Sequence, residues 1–343
     1  MRFARPLLAG VLLSLAACGG AEGSARVVIP PGASLRSASD SLENHGVIRN
    51  GALFRLYAKL RGGDRSIQAG TYVLRRGANW ESVLDALREG RGIVASFTIP
   101  EGYSLAQAVP VIARALQVPE DSVIAAVRDT ALLRHLDLPT PTIEGYLFPD
   151  TYVFPEGTSA RVAIRATVER FERAWKSEWE ARLDSMAMTK HDIVTLASII
   201  EKEARLPQER PVISAVYLNR LRDGMMLQAD PTVQYARGFH ANRVLYSDLA
   251  IESPYNTYRV KGLPPGPIAA PGEASLLAAV FPANVPYKFF VAYPDGHHEF
   301  RRTFAEHVVA VRASRQAWSA YQQRQRALAA QRAAQQPAPG AGR

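Results

Sequence analysis

The chain has 343 residues, of which 47% are hydrophobic, and this is enough for two or three domains with buried cores. Its net charge of +9 at pH 7 suggests a nucleic-acid partner, but the excess lies at the two ends: Arg2 and Arg5 precede the first apolar run, and six arginines without any acid follow residue 310. The body between them is almost neutral and has no basic stripe, so binding to nucleic acid is not expected.

The N-terminus has the pattern of a lipoprotein signal peptide. Its apolar run over residues 6–17 is too short to span a bilayer and ends in Leu-Ala-Ala followed by Cys18, the single cysteine of the chain. This resembles a bacterial lipobox, in which the cysteine is lipidated and becomes the first mature residue. We predict a signal peptide over residues 1–17, a flexible leader over 18–25 and a lipid anchor at Cys18 on the extracytoplasmic face of a membrane. An ordinary cleaved signal with an unmodified cysteine is the alternative.

Residues 26–100 predict a small module of strands and helices. Apolar patterns and turn residues place strands at 27–30 and 70–74, and helices at 35–44, 52–60 and 79–87. This order of elements resembles LysM-type modules, which bind glycans that contain N-acetylglucosamine. A spacer that holds the remainder of the chain away from the membrane is the alternative.

A short repeat marks the start of two units. Residues 29–35 read Ile-Pro-Pro-Gly-Ala-Ser-Leu, and residues 99–105 read Ile-Pro-Glu-Gly-Tyr-Ser-Leu. Each stretch predicts the end of a strand, a tight turn and a helix that is capped by serine. The repeat therefore indicates two related strand–helix units, the second of which opens a segment over residues 101–190.

After residue 144 the sequence is rich in aromatic residues, glycine and proline. We expect one helix over about 159–184, a second helix that carries Glu201 and stops at Pro207, and a third that starts at Pro211. Strands are expected at 289–292 and 297–300, on either side of an Asp-Gly turn. The core of this half is assigned to residues 191–310, and residues 311–343 predict a basic helical tail with a disordered end.

One apolar helical run carries two acids. Within residues 193–204 the apolar side chains share one helical face, and Glu201 and Glu203 fall on opposite flanks of it. A carboxylate at the edge of a buried face loses hydration, which favours its protonated form, and a general acid needs such a proton near neutral pH. An acid that turns to solvent or pairs with Lys or Arg is the alternative, and the helix alone does not choose between the two.

Six short motifs follow one another in this half. They are Glu-Gly-Tyr-Leu-Phe-Pro (144–149), Leu-Ala-Ser-Ile-Ile-Glu-Lys-Glu (196–203), Asn-Arg-Leu (219–221), Leu-Gln-Ala-Asp-Pro-Thr-Val (227–233), Tyr-Asn-Thr-Tyr (255–258) and Gly-Leu-Pro-Pro-Gly-Pro-Ile (262–268). In this order they resemble the MltG (YceG-like) family of endolytic murein transglycosylases, over about residues 27–310. The resemblance implies an α+β fold in which small LysM-like modules precede a mixed α/β YceG-like catalytic domain. Members are often held by an N-terminal transmembrane helix, so the lipobox leaves the choice of membrane open.

The resemblance also implies the chemistry. Glu201, the first acid of the Ile-Glu-Lys-Glu motif, is implied as the catalytic residue. It would protonate the glycosidic oxygen between MurNAc and GlcNAc and then accept the proton of the muramoyl 6-hydroxyl, which attacks its own anomeric carbon and forms a 1,6-anhydro end. Glu203 is expected to be structural, as the ion-pair partner of an arginine. Side chains that could contact the glycan by hydrogen bonds or stacking are Gln228, Asp230, Thr232, Tyr255, Asn256, Tyr146 and Tyr258; turn formation or core packing is the alternative for several of them.

The expected partners are peptidoglycan glycan strands, the membrane and peptidoglycan synthases. The histidines match no common metal-ligand spacing, so no metal or cofactor is predicted. Two other functions stay open. One is a muramidase in which Asp230 or Glu144 serves as the second acid that a hydrolase requires. The other is a wall-binding lipoprotein without catalytic activity.

Overall fold

The computed structural model describes residues 23–62, 67–90, 92, 94–238 and 244–335. The predicted signal peptide and Cys18 lie outside the described residues. Contacts divide the chain into two compact units, residues 1–95 and residues 96–343. No helix within the described ranges is both long enough and apolar enough to cross a membrane.

The described part of the first unit combines a two-stranded sheet with three helices. Its elements are β1 (Ser24–Ile29), α1 (Leu35–Asn44), α2 (Gly51–Leu60), β2 (Gly70–Arg75) and α3 (Trp80–Glu89). The strands pair in antiparallel register, and alternate side chains of β1 are buried, as expected for a strand with one covered face. Each helix begins at a residue whose side chain accepts a backbone N–H of the first turn, namely Ser34, Asn50 and Asn79.

The second unit is mainly helical. The strand β3 (Val94–Ile99) begins just before the boundary, and the elements that follow are α4 (Leu105–Leu116), α5 (Glu120–Val127), α6 (Thr130–His135), β4 (Asp150–Pro155), α7 (Ala160–Ala174), α8 (Ser177–Met186), α9 (Lys190–Glu203), α10 (Arg210–Arg222), α11 (Asp230–Arg237), α12 (Glu273–Val280), β5 (Phe289–Ala292), β6 (His298–Arg301) and α13 (Phe304–Gln335). Strand β3 is hydrogen-bonded to β4, and β5 pairs with β6 in antiparallel register. This mixture of helices and short strands confirms the α+β fold class. The LysM-like character of the N-terminal module and the proposed domain limits stay predictions.

The single helix expected over 159–184 is two helices. α7 ends at Ala174, and Trp175 has an extended backbone with φ −74° and ψ 119°. The indole N–H of Trp175 donates to Glu180, and its ring packs edge-on against Trp179 at 5.2 Å between centroids. A buried pair of large aromatic rings therefore breaks a stretch whose periodicity alone predicts continuity.

The repeated sequence forms the same turn twice. In residues 29–35 and 99–105 a strand ends at the first position and a helix begins at the last. The glycines in both turns have left-handed backbones, with φ +75° at Gly32 and φ +74° at Gly102, a region that glycine adopts without strain. The main difference is at the tip, where the second copy has Glu101 in place of a proline.

Candidate active site

Helix α9 is a buried helix with charged residues in its last turn. It starts with a capping box between Thr189 and Asp192, and each residue from 193 to 200 is almost fully buried. It packs against α10, α11 and α12. Glu201, Lys202 and Glu203 therefore lie side by side at the C-terminal end of a helix that is fixed by its packing.

Glu201 is held at both carboxylate oxygens. Arg210 Nη2 donates to Oε1 at 3.3 Å, and the backbone N–H of Gly272 donates to Oε2 at 3.0 Å. Arg210 is itself fixed by a hydrogen bond from Nε to Ser275 Oγ at 3.0 Å. The Glu201 side chain is only 7% exposed, so burial of its charge is offset by the ion pair and by the N-terminus of α12, which begins directly after Gly272.

The second repeat turn is attached to this site. The N–H of Gly102 donates to the carbonyl of Ala270 at 2.8 Å, and the N–H of Ala270 donates to the carbonyl of Tyr103 at 2.7 Å. Lys202 Nζ donates to the carbonyl of Gly102 at 3.1 Å, and burial lowers the pKa of this lysine. The turn is thereby fixed both to the end of α9 and to the loop that precedes α12.

Glu101 lies at the tip of that turn and contacts the same glycine as Glu201. A Cβ atom added to Gly272 would overlap the Glu101 carboxyl group, with the Glu101 Cγ at 3.1 Å. Partial loss of hydration, and then the charge of Glu201, raise the pKa of Glu101, while Arg210 opposes the shift. The site therefore contains two carboxyl groups and one arginine around one backbone N–H.

Glu203 faces the opposite flank of α9, as the helical wheel predicts. Its Oε1 accepts the hydroxyl of Tyr217 at 3.0 Å, and burial raises its pKa to about 7, with a smaller contribution from Asp230. Tyr258 donates its hydroxyl to Asp230 at 2.6 Å. Glu203 thus belongs to a second polar cluster with these residues. The arginine expected to pair with it is found on Glu201 instead, within the part of the chain that the structure describes.

Two of the predicted glycan contacts are internal. Thr232 is fully buried, and its hydroxyl donates to a backbone carbonyl at 2.7 Å and lies 2.8 Å from Thr257 Oγ1. Asn256 is also fully buried and donates from Nδ2 to the carbonyls of Leu249 and Ile251. A direct sugar contact by either side chain is incompatible with this burial. Thr232 instead joins the 228–232 and 255–258 segments, and Asn256 joins the second of them to residues 249–251.

The other predicted contacts differ in accessibility. Gln228 and Asp230 are exposed, and Tyr255 is half-buried against Tyr235, with 4.8 Å between ring centroids. These three residues stay predictions for glycan binding. Tyr258 is half-buried and donates to Asp230, so its hydroxyl is engaged.

Tyr146 is 1% exposed and is not available for stacking on a sugar. Its hydroxyl is hydrogen-bonded to His191 Nδ1 at 3.1 Å, and its ring packs edge-on against Phe171. Core packing, the alternative left open by the sequence, is the role that this environment supports.

Glu144 lines a cavity of about 760 Å³ together with Lys202, Gln234 and Tyr235. Its carboxylate accepts the N–H of Leu105 at 3.0 Å and the hydroxyl of Tyr235 at 3.2 Å, and burial raises its pKa to about 7. These contacts fix the start of α4 to the 144–149 motif. The role of Glu144 as the second acid of a hydrolase stays a prediction.

Sequence reasoning missed three residues of the site: Glu101, Arg210 and Gly272. Each had a weak signal, because Glu101 is where the two repeats differ and Gly272 precedes a helix in an Ala-Pro-Gly stretch. Arg210 directly precedes a proline that helps to start α10. None of these signals predicts that the three residues lie close together at the end of α9.

The sequence model of the YceG-like family matches residues 27–313, and the chain belongs to this family. A relative from Bacillus subtilis, named endolytic murein transglycosylase, is 35% identical over 295 residues, which cover 81% of each chain. A relative of the same name from Streptococcus pneumoniae is 29% identical over 322 residues, which cover 82% of this chain and 58% of that protein. A crystal structure of a yceG-like protein from Listeria monocytogenes superposes with a TM-score of 0.63 at 33% identity, covering 83% of this chain and 97% of that one.

Proposed function

We propose that this chain is an endolytic peptidoglycan lytic transglycosylase, a lyase that cuts nascent glycan strands between MurNAc and GlcNAc and thereby terminates their elongation. The observation that carries the proposal is the setting of Glu201. It is a nearly buried carboxylate at the end of a rigid helix, held at both oxygens, in a family whose relatives bear the name of this activity.

In the simplest mechanism Glu201 acts twice. It protonates the glycosidic oxygen as the bond to the muramoyl anomeric carbon breaks, and it then accepts the proton of the 6-hydroxyl as that oxygen closes the 1,6-anhydro ring. The attack is intramolecular, so it has a large effective molarity without a second carboxylate to activate water. Between the two proton transfers Glu201 is an anion, and Arg210 together with the N–H of Gly272 stabilises this form.

The test is digestion of nascent glycan strands by the wild-type protein and by Glu201→Gln, with mass spectrometry of the new ends. We expect 1,6-anhydro ends from the wild type and a loss of about 10²–10⁴-fold in rate for the variant. Glu203→Gln is the matched control, because it makes the same chemical change two residues along the same helix, on the other flank, and should keep its activity.

The same experiment separates the alternatives. Reducing ends instead of anhydro ends would identify a muramidase, and wild-type cleavage rates in Glu201→Gln would reject the assigned role of this residue. Absence of cleavage by the wild type on a substrate that a known transglycosylase cuts would support a wall-binding protein. The lengths of the products show whether cleavage occurs within strands.

We further propose that Cys18 carries the lipid that keeps the enzyme at the extracytoplasmic membrane surface, close to the synthases that produce its substrate. The support for this is the lipobox pattern around the cysteine. Labelling cells with a lipid precursor tests it, because incorporation should be lost in Cys18→Ser. Fractionation of inner and outer membranes then assigns the membrane, and labelling of Cys18→Ser at the wild-type level would reject the anchor.

A further inference from the structure

Glu101 is the most accessible carboxyl group of the Glu201 site. Its side chain is exposed, whereas that of Glu201 is 7% exposed and is covered by Arg210 on one oxygen and by Gly272 on the other. The turn that carries Glu101 is anchored by backbone hydrogen bonds between Gly102, Tyr103 and Ala270. Glu101 is therefore accessible to solvent, and the turn that carries it is held in place by these hydrogen bonds.

The two acids have different hydrogen-bond partners. Glu201 receives two donors, one of them the Arg210 guanidinium and the other the N–H of Gly272. Glu101 contacts Gly272 beside Glu201, and two neighbouring carboxyl groups resist being ionised together. Among the described residues, the other charged or titratable groups close to the turn are Lys202, Arg210 and Glu144. Lys202 is bound to the carbonyl of Gly102, Arg210 is bound to Glu201, and Glu144 accepts the N–H of Leu105.

We propose that Glu101 is a second catalytic acid, which donates a proton to the glycosidic oxygen, while Glu201 is the base that removes the proton of the muramoyl 6-hydroxyl. This deepens the proposed transglycosylase function and rests on it, but it divides between two residues the work that the simplest mechanism gives to one. The contact of both acids with Gly272 is the geometric basis.

The step is balanced without water. The carboxyl proton of Glu101 passes to the glycosidic oxygen, which leaves with GlcNAc as a hydroxyl when its bond to the muramoyl anomeric carbon breaks. The 6-oxygen forms the new bond to the same carbon, and its proton passes to the Glu201 carboxylate. Glu101 then carries the negative charge and Glu201 the proton, and transfer of this proton from Glu201 to Glu101 restores the starting state.

The first test compares Glu101→Gln and Glu201→Gln on two substrates: murein strands, and a muramoyl glycoside with a nitrophenolate leaving group. We expect Glu101→Gln to lower kcat on murein by about 10²-fold with little change in KM. An activated leaving group departs without a proton, so the same variant should cleave the nitrophenyl substrate at close to the wild-type rate. Glu201→Gln should be inactive on both substrates.

The pH profile gives a second readout. Wild-type activity on murein should fall at alkaline pH as the acid loses its proton, and this limb should be absent from the residual activity of Glu101→Gln, because glutamine does not titrate. Glu273→Gln is the matched control, since Glu273 follows Gly272 directly but pairs with Lys176. It should keep both the wild-type rate and the wild-type profile.

Gly272→Ala tests the geometry while leaving both acids in the chain. The added methyl group would displace the flexible end of Glu101 but retain the backbone N–H that binds Glu201. We expect a loss on murein similar to that of Glu101→Gln, rescue by the nitrophenyl substrate, and no further loss when the two changes are combined.

Full murein activity in Glu101→Gln would overturn the second acid and leave the transglycosylase intact. Equal loss on both substrates would also overturn it, because such a loss means that Glu101 only supports the structure. Reducing ends from the wild-type protein would instead reject the transglycosylase itself, so the two failures are distinguishable.

Discussion

Replacement of Glu203 by glutamine should make the protein more stable at alkaline pH and almost unchanged at acidic pH. Burial raises the pKa of Glu203 to about 7 from an ordinary value of 4.5, while Oε1 accepts the hydroxyl of Tyr217. Glutamine has nearly the same shape and keeps an oxygen for this hydrogen bond. The substitution therefore removes the charge and little else.

The magnitude follows from the difference between the folded and unfolded pKa. The folded protein binds this proton more tightly, so the associated stability is fully present below about pH 4.5 and is lost as pH rises through about 7. A shift of this size corresponds to about 3 kcal/mol in the free energy of unfolding. Glu203→Gln avoids the loss, so its advantage over the wild type should grow by most of that amount between pH 5 and pH 8.

The measurement is urea unfolding of both proteins across this pH range. Glu252→Gln is the control, because the side chain of Glu252 is 87% exposed and its loss should leave the wild-type curve in place. The reasoning is refuted if Glu203→Gln and the wild type differ in free energy of unfolding by the same amount at pH 5 and pH 8. Such a result would show that the Glu203 carboxyl group does not bind its proton more tightly in the folded state.

Three further substitutions probe backbone and packing. Gly145→Ala should cost about 2–5 kcal/mol in thermal unfolding, because Gly145 has φ +85° and an added Cβ would lie 2.5 Å from Pro267 Cγ; a loss below 1 kcal/mol would show that the loop yields. Thr232→Val should lower stability by about 1–3 kcal/mol with KM unchanged, because its hydroxyl binds inside the protein; a raised KM with unchanged stability would restore the glycan contact. Ala187→Gly should raise stability by about 1 kcal/mol, because Ala187 ends α8 with φ +51°; a drop in the unfolding midpoint would contradict this.

Local patterns were sufficient for most of the helices and strands. The limits of α1 and β5 follow from a serine cap and from an apolar run of four residues, signals that act within a few positions of the chain. The break between α7 and α8 could not be predicted in this way, because it depends on how Trp175 packs against Trp179 in the folded unit.

For the candidate site, the sequence predicts on which flank of α9 each acid lies, but not which residues surround it. The 3.6-residue period places Glu201 and Glu203 on opposite flanks of α9, and the structure agrees. The period does not say that Arg210 and Gly272 reach one flank and Tyr217 the other, since these contacts join distant segments. Desolvation, the reason first given for a catalytic Glu201, raises the pKa of its neighbour Glu203.

The site joins three stretches that are far apart in sequence: the turn at 100–103, the end of α9 with Arg210, and the loop at 270–272 with the start of α12. Each stretch alone lacks most of the side chains of the site. Contacts of such long range form only when nearly the whole second unit has folded. A chain that is still folding therefore has no assembled site until folding of this unit is complete. Local opening of any one stretch should switch cleavage off before the bulk of the protein unfolds.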